Sequence, residues 1–257
     1  MSTQMRRASG THKGLFVSST GTGVGKTVVT AGIAAYFHQI RKRKLQLWKP
    51  VQSGTTIGDP EADTYRLRMG SGMTGISEDK MATWTLPDPL APWMAFERAG
   101  VAFSFPALLE EGQRRLEEQS LLLIEGAGGI AVPFTQRDTM ADLAYGLQVP
   151  LLLVSSSGLG TVSHTVTAVH YARARGITDV AVAFSGPRVM AEAREAEENA
   201  RMIEAMADVP VLGLVPWLPQ PDRARASESS AWAIWRKQWL ASFTKMNRFT
   251  QWLLERE

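Results

Sequence analysis

The sequence of 257 residues contains no cysteine. This absence excludes disulfide bonds, zinc sites built from thiolates and a cysteine nucleophile. Long apolar runs are also missing, because charged residues interrupt each one well before the ~18 residues that a membrane span requires. The basic N-terminus is not followed by the apolar segment of a secretory signal. We therefore expect a cytoplasmic protein.

A large excess of charge of one sign is absent as well, since the formal net charge is only +3 at pH 7. Part of the excess lies in the basic cluster 41–44. No aromatic residue is interleaved with this cluster, so we interpret it as a solvated helix end and not as a nucleic-acid-binding surface. The apolar content of 44% is enough for a substantial core.

Short apolar runs alternate with helical patterns along most of the chain. The predicted strands are Gly14–Ser18, Leu45–Val51, Leu121–Glu125, Pro150–Ser155, Val180–Ser185 and Val209–Val215. The predicted helices include Lys26–Gln39, Thr161–Arg175 and Met190–Ala207. Several strands are continuously apolar, which is typical of a parallel sheet covered on both faces. The pattern predicts a doubly wound α/β fold with a mostly parallel sheet, as in P-loop NTPases, and ligands beyond the carboxyl ends of the strands.

Three regions are distinguished by composition. Residues 1–13 are polar and predicted to be disordered, 14–220 form the α/β domain, and 221–257 form a helical, aromatic-rich C-terminal extension. Large apolar side chains recur in the extension every three or four residues and form one helical stripe: Trp232, Trp235, Trp239, Phe243, Met246, Phe249 and Leu253. We expect the stripe to pack on the domain or on a partner subunit. The alternative is a membrane-surface helix, because basic residues share the segment.

The strongest local motif is the glycine-rich segment 19–27, STGTGVGKT, between a predicted strand and a predicted helix. Backbone amides and a helix N-terminus in this context form a phosphate-binding loop. Lys26 would reach the β- and γ-phosphates, and Thr27 would offer its hydroxyl to Mg²⁺. The strict motif requires glycine at position 20, where this chain has Thr20. We predict that the phosphates of ATP contact Gly23, Val24, Gly25, Lys26 and Thr27.

Further charged residues stand at the predicted ends of other strands. Glu125 ends an apolar run and precedes the glycine-rich segment 126–129, so a cation is expected beside it, although a solvent-facing glutamate is the alternative. Lys49 ends the second predicted strand, and two lysines would stabilise a transferring phosphoryl group unless Lys49 is simply solvated. Three acidic residues follow in the sequence: Asp59, Glu61 and Asp63. Any of them is a candidate helix cap, and one of them is a candidate metal ligand.

These motifs, taken in order, resemble those of the dethiobiotin synthetase family over roughly residues 14–220. The matching segments are 22–27 (TGVGKT), 49–54 (KPVQSG), 62–63 (AD), 125–129 (EGAGG), 158–161 (GLGT) with His164 and Thr165, and 216–218 (PWL). The resemblance implies a homodimer, with the substrate site at the subunit interface. It also implies an ATP- and Mg²⁺-dependent ring closure that joins CO₂ to 7,8-diaminononanoate.

By this resemblance, Lys26 and Lys49 neutralise the carbamate and the γ-phosphate. Magnesium is assigned to Thr27, Asp63 and Glu125. The diamine substrate is assigned to Thr22, Lys49, Ser53, Gly126, Ala127 and Gly128. The nucleotide beyond the phosphate loop is assigned to Ser185, Pro216 and Trp217.

Three positions depart from the family pattern. Trp93 stands where members usually carry histidine, and Ser163 and Ser185 stand where they carry asparagine. A serine hydroxyl does not offer the paired donor and acceptor of an amide. The residues that would select the base and hold the substrate tail therefore differ from the family pattern.

Two other functions were considered from the sequence. A related P-loop amide-forming synthase, such as a cobyrinic acid diamide synthase, carries a glutaminase domain with a cysteine nucleophile, and this chain has neither the length nor the cysteine. A partition-type or membrane-associated switch ATPase would use the aromatic tail as an anchor. Its loop normally has an extra lysine near the start, which segment 18–21 lacks. That alternative stays open on sequence grounds.

Overall fold

The computed structural model describes residues 13–186, 193–215, 218, 221 and 228–256. Its centre is a seven-stranded sheet with strand order β3-β2-β4-β1-β5-β6-β7, in which every pairing between the described strands is parallel. The strands are β1 Gly14–Ser19, β2 Leu45–Ser53, β3 Ala82–Leu86, β4 Leu121–Glu125, β5 Leu151–Ser156, β6 Val180–Ser185 and β7 Val211–Val215. The prediction of a doubly wound α/β fold is confirmed.

The continuous apolar run of β4 shows why this sheet is covered on both faces. Leu121 and Leu123 belong to the core on one face, whereas Leu122 and Ile124 belong to the core on the other. Successive side chains of a strand point to opposite faces, so a strand buried on both sides must be apolar at every position.

Helices cover the two faces of the sheet. They are α1 Lys26–Ala35, α2 Asp63–Ser71, α3 Glu78–Met81, α4 Pro92–Ala99, α5 Phe105–Glu117, α6 Met140–Leu147, α7 Thr161–Ala174, α8 Ala193–Ala207, α9 Glu228–Phe243 and α10 Asn247–Leu254. Helix α1 continues into a π-helical turn, Tyr36–Ile40. Residues of α1, α2, α9 and α10 share the core on one face, and residues of α4 to α8 share the core on the other. No helix in the described part of the chain is both long and apolar enough to cross a membrane.

Two features of the sheet differ from the sequence prediction. Strand β3 was not predicted, because this edge strand is short and only its two terminal residues are buried. Strand β2 continues through Pro50 to Ser53, so the prediction that Lys49 ends this strand is wrong. Beyond the proline, Val51, Gln52 and Ser53 still pair with β3, since the added edge strand supports them.

The aromatic stripe of the C-terminal extension is buried against the domain, which confirms the expectation of packing. The stripe spans two helices, and the prediction of one helix is wrong because the chain turns at 244–246, between α9 and α10. Trp239 stacks on Phe243 with ring centroids 4.5 Å apart. A Cβ atom at Gly32 of α1 would lie 2.2 Å from the Trp239 indole, so glycine is needed for this close approach. The buried stripe does not fit a membrane-surface helix.

Two predictions about the chain's organisation are not tested. The segment predicted to be disordered lies outside the described residues, apart from Lys13. The division of the domain from the extension near residue 220 also falls mostly outside them, and it stays a prediction.

Candidate active site

The glycine-rich segment forms a loop between β1 and α1 at the carboxyl edge of the sheet. Gly23 and Gly25 have φ angles of 75° and 93°, in the left-handed region that favours glycine. Helix α1 begins without a side-chain cap, so its first backbone amides are available to an anion. A Cβ atom at Gly25 would lie 2.1 Å from Ser185 Oγ, which places the end of β6 directly against the loop.

Thr20 stands where the strict motif has glycine. Its side chain connects the start of the loop to β5. Its hydroxyl lies 3.1 Å from that of Ser155, which in turn lies 2.9 Å from that of Thr161 at the start of α7. Thr165 donates a further hydrogen bond of 2.9 Å to Ser155. The departure from the motif therefore places a hydroxyl network beside the phosphate loop.

The second glycine-rich segment, which follows Glu125, packs against the phosphate loop. The backbone amide of Ile130 donates to the carbonyl of Ser19 at 2.9 Å. The Ser19 hydroxyl lies 2.9 Å from the Gly128 carbonyl and accepts a hydrogen bond of 3.3 Å from Lys26 Nζ. Two segments that are distant in sequence thus form one continuous surface around Lys26.

Lys49 lies at the centre of a buried charged cluster. Its Nζ atom is 2.6 Å from Asp63 Oδ2 and 2.8 Å from Glu125 Oε1, and it also donates to the Gly126 carbonyl at 3.1 Å. The Thr27 hydroxyl lies 2.9 Å from Asp63 Oδ1 and 2.9 Å from Glu125 Oε1, and it has one proton to donate. Lys49 is 1% exposed and Glu125 is fully buried. The structure therefore brings Lys49, one of the two predicted catalytic residues, into direct contact with predicted metal-binding side chains.

The register of the sheet explains how this contact arises. Trp48 of β2 pairs with Ile124 of β4, so the next residues, Lys49 and Glu125, are neighbours on adjacent strands. Trp48 and Ile124 point into the core on one face, and Lys49 and Glu125 therefore point to the other face, where α1 lies. Asp63 is the first residue of α2, where a carboxylate also suits the helix dipole.

Protonation in the cluster follows from burial and charge. Burial disfavours the Lys49 ammonium, yet Asp63 and then Glu125 outweigh this and raise the pKa of Lys49. Burial alone would raise the pKa of Asp63, but the Lys49 ammonium and hydrogen bonds from Lys49 and Thr27 lower this pKa to about 2. Burial and the charge of Lys49 lower the pKa of Lys26. The ammonium group of Lys49 lies between the carboxyl groups of Asp63 and Glu125.

The oxygen atoms of the cluster fit a magnesium ion. Glu125 Oε2 is buried and has no hydrogen-bond partner among the described residues. Carboxylate and hydroxyl oxygens are ligands that Mg²⁺ prefers, and Mg²⁺ in nucleotide sites takes one or two carboxylates together with phosphates and water. The described residues contain no group of three or more His, Cys, Asp or Glu side chains suited to a metal, so a bound Mg²⁺ would need phosphate or water ligands as well.

A cavity of about 550 Å³ opens over the phosphate loop and this cluster. Of the residues predicted to bind substrate, Thr22, Lys49, Ser53, Ala127 and Gly128 line it. Gly126 does not, although its carbonyl accepts a hydrogen bond from Lys49. The hydroxyl of Ser53 donates to the Leu90 carbonyl at 2.7 Å.

Other candidates lie elsewhere. Asp59 accepts from the backbone amide of Glu61, and Glu61 pairs with Arg66, so of the three acidic candidates only Asp63 reaches the charged cluster. Trp93 lines a separate groove, where its indole donates to Glu97. Further positions that the resemblance singled out are Ser163, which lines a groove between α7 and α8, and Pro216 and Trp217, which lie outside the described residues.

Sequence reasoning did not place any residue of the C-terminal extension in the cavity wall. Leu218, Trp232 and Trp235 line the cavity, and the two tryptophans belong to the C-terminal extension. The helical stripe predicted that these tryptophans are buried, but it gave no indication of which part of the domain they cover.

Comparison with known proteins agrees with this geometry. A family model described as "AAA domain" matches residues 13–225. The ATP-dependent dethiobiotin synthetase BioD of Bacillus thuringiensis (strain Al Hakam) is 41% identical over 204 residues, covering 79% of this chain and 83% of the relative. The protein of the same name from Bacillus anthracis (strain CDC 684 / NRRL 3495) gives the same identity and coverage.

Solved structures are more distant. The MinD cell division protein of Aquifex aeolicus is 13% identical, with a TM-score of 0.48, over 80% of this chain and 83% of that one. A ParA family ATPase from Chlorobium tepidum TLS is 11% identical, with a TM-score of 0.49, over 86% and 98%. The sequence relatives decide the assignment: the chain belongs to the dethiobiotin synthetase family of P-loop nucleotide-binding proteins.

Proposed function

We propose that this chain is an ATP-dependent dethiobiotin synthetase. It would form the ureido ring of dethiobiotin from 7,8-diaminononanoate, CO₂ and ATP, and release ADP and phosphate. The observation that carries the proposal is the cluster of Lys49, Asp63, Glu125 and Thr27 beside the phosphate loop, of which Lys49, Asp63 and Thr27 line one cavity. The 41% identity to dethiobiotin synthetases agrees with it.

The reaction requires no nucleophile from the protein. One amine of the substrate takes up CO₂ to form a carbamate, and the carbamate oxygen attacks the γ-phosphorus of ATP while ADP leaves. The second amine then attacks the carbonyl carbon of the mixed anhydride, closes the ring and expels phosphate. Such a sequence depends on positioning and on stabilisation of negative charge, which the cavity offers without a cysteine.

The two lysines would supply positive charge at different places. Lys26 lies in the phosphate loop against Ser19, where it is suited to the β- and γ-phosphates. Lys49 stays protonated at neutral pH because Asp63 and Glu125 surround it, so it presents a fixed cation to an anionic carbamate. A fixed charge in a buried site stabilises a developing charge more strongly than the same charge does in water.

Thr27, Asp63 and Glu125 would hold Mg²⁺, and the unpartnered Oε2 atom of Glu125 supports this assignment. Bound with ATP, the ion would neutralise charge on the phosphate oxygens. Thr22, Ser53, Ala127 and Gly128 would face the diamine, because they line the same cavity as Lys49.

Two further parts of the proposal rest on the family resemblance. The homodimer is supported by the apolar side chains that α8 and the residues just before α7 leave exposed: Leu159, Met202 and Met206. The cytoplasmic location stays a prediction. A switch ATPase anchored by its tail is disfavoured, because the aromatic stripe is buried in the core.

The test is to incubate the full chain with 7,8-diaminononanoate, bicarbonate, Mg²⁺ and ATP and to analyse the products by mass spectrometry. We expect dethiobiotin, whose formation requires all four additions. Hydrolysis of ATP at the same rate with and without the diamine, and no dethiobiotin, would contradict the proposal and favour the switch ATPase.

A further inference from the structure

Two tryptophans from the C-terminal extension line the cavity that contains the phosphate loop. Trp232 and Trp235 are 6% and 5% exposed, with ring centroids 5.6 Å apart and planes at 68°. The family model ends at residue 225, so both residues lie beyond the part of the chain that it matches. Both tryptophans therefore belong to the C-terminal extension and not to the segment that the family model matches.

The cavity has two apolar ends, each formed by residues of a different core of the sheet. One end contains the segment 89–92 and Val132, beside the predicted substrate residues Ala127 and Gly128. The other end contains Val28, Ala31, Leu218, Trp232 and Trp235. A nucleoside triphosphate whose phosphates lie on the loop needs room for its base and ribose, and only the second end lies clear of the predicted diamine contacts.

The second end is held in place by close packing of α9 on α1 and α2. A Cβ atom at Gly70 of α2 would lie 3.4 Å from the Trp232 ring and 3.5 Å from the Trp235 ring. Arg236 donates a hydrogen bond to the Met69 carbonyl. Helix α1 begins at Lys26 and α2 begins at Asp63. The two indoles are therefore fixed relative to the helices that carry the phosphate and metal ligands.

We propose that Trp232 and Trp235 form the wall on which the base and ribose of ATP pack. Aromatic rings favour the flat face of a nucleobase largely irrespective of its identity. Ser185, which stands where the resemblance places an amide-bearing residue, lacks the paired hydrogen bonds of that amide. The apolar rings of Trp232 and Trp235 would supply affinity for the nucleotide that Ser185 does not supply. The proposal rests on the use of ATP by the chain, and it does not depend on which acceptor is phosphorylated.

The test compares a ligand that has a base with one that lacks it. The full chain and its Trp232→Ala and Trp235→Ala variants are titrated calorimetrically with ADP and with inorganic triphosphate, in the presence of Mg²⁺. We expect each substitution to weaken ADP binding about tenfold and to change triphosphate binding less than twofold. The Trp235→Phe variant keeps an aromatic ring and should recover most of the affinity for ADP.

Trp252→Ala is the matched control. Trp252 is 6% exposed, belongs to the same core and stacks with Arg256, but it does not line the cavity. Its substitution should lower stability without changing the affinity for ADP. If the Trp235→Ala variant does not fold, Trp235→Leu keeps apolar volume but removes the ring, and the same result is expected of it.

Three results would overturn the proposal. The first is wild-type affinity for ADP in the variants that lack a ring at 232 or 235. The second is an equal loss for triphosphate, which would mean that the tryptophans act only by supporting the phosphate loop. A variant that changes the KM for the diamine but not the affinity for ADP would assign this end to the substrate and would equally contradict the proposal. A different result is a wild-type chain that forms no dethiobiotin while the variants without a ring at 232 or 235 still bind ADP more weakly. That result would support the role of the two tryptophans and contradict the proposed synthetase function.

Discussion

The phosphate-loop site and the C-terminal extension meet at one cavity but are built from opposite kinds of residue. The site is a charged cluster in which Lys49 forms ion pairs with Asp63 and Glu125. The extension is an aromatic stripe in which Trp239 fills the space beside Gly32. The first is held together by a few strong interactions between charges, and the second by many weak contacts over a large buried area. Loss of one residue should therefore affect the two regions differently.

Lys49→Ala should have the largest effect. We expect turnover to fall about a thousandfold, because a fixed cation is lost next to the reacting groups. We also expect the free energy of unfolding to fall by about 3–5 kcal/mol, because Glu125 is left fully buried without its counter-ion and the partly buried Asp63 also loses its ion pair. Steady-state kinetics and urea denaturation measure the two effects. Lys80→Ala, at an exposed lysine, is the control, and retained turnover in Lys49→Ala would remove Lys49 from its proposed role.

Gly32→Leu tests the packing of the extension. The first carbon of the new side chain would lie 2.2 Å from the Trp239 indole, so α9 must shift away from α1. We expect a loss of about 1–3 kcal/mol in the free energy of unfolding, measured by denaturant titration. Gly75→Leu should change it little, because nothing lies within 4 Å of the added Cβ atom there. Equal midpoints for the two variants would mean that α9 does not pack tightly on α1.

The charged cluster should also respond to acid. Asp63 has a pKa of about 2 against an ordinary value of 3.8, so its contribution to stability is fully present above about pH 4. This contribution should be lost as the pH falls from about 4 towards 2. Urea denaturation of the wild type and of Asp63→Asn across this range isolates it, since the variant has no carboxyl group to titrate at 63. Identical pH dependence of the two proteins would contradict the ion pair with Lys49.

Thr20→Ala should have the smallest effect. The substitution removes one hydroxyl from the network with Ser155, and a typical hydrogen bond contributes about 0.5–1.5 kcal/mol. We expect a loss of that size in unfolding free energy and less than a threefold change in the affinity for triphosphate, measured calorimetrically. Val162→Ala, on the partly buried first turn of α7, is the control for the effect of a small truncation nearby on the unfolding free energy. A loss of triphosphate affinity of tenfold or more would show that Thr20 shapes the loop itself.

The comparison also shows what a sequence can reveal. The six strands predicted from the sequence agree with the observed strands to within two residues, and the predicted helix 26–39 covers α1 and most of its π-helical turn, because continuous apolar runs and helical periodicity are local patterns. The same holds for Lys26, Thr27 and Glu125, which lie next to their own strands or glycine-rich segments. Predictions from local patterns of this kind do not depend on how distant segments of the chain pack together.

Features that depend on distant contacts were missed. Strand β3 has little apolar pattern of its own, and it became recognisable only through its pairing with β2. The ion pair of Lys49 with Glu125 depends on the register between β2 and β4, and neither strand's sequence specifies that register. Trp232 and Trp235 reach the cavity because α9 crosses α1 and α2, and the stripe in the sequence does not specify where its helix docks.

The most direct test of the proposed function is the stoichiometry of the reaction with ¹³C-labelled bicarbonate. The account predicts that each labelled dethiobiotin molecule is accompanied by one ADP and one phosphate, and that the label resides in the ureido carbonyl. Phosphate released without labelled dethiobiotin, in the presence of the diamine and Mg²⁺, would contradict the claim that the cavity phosphorylates a carbamate.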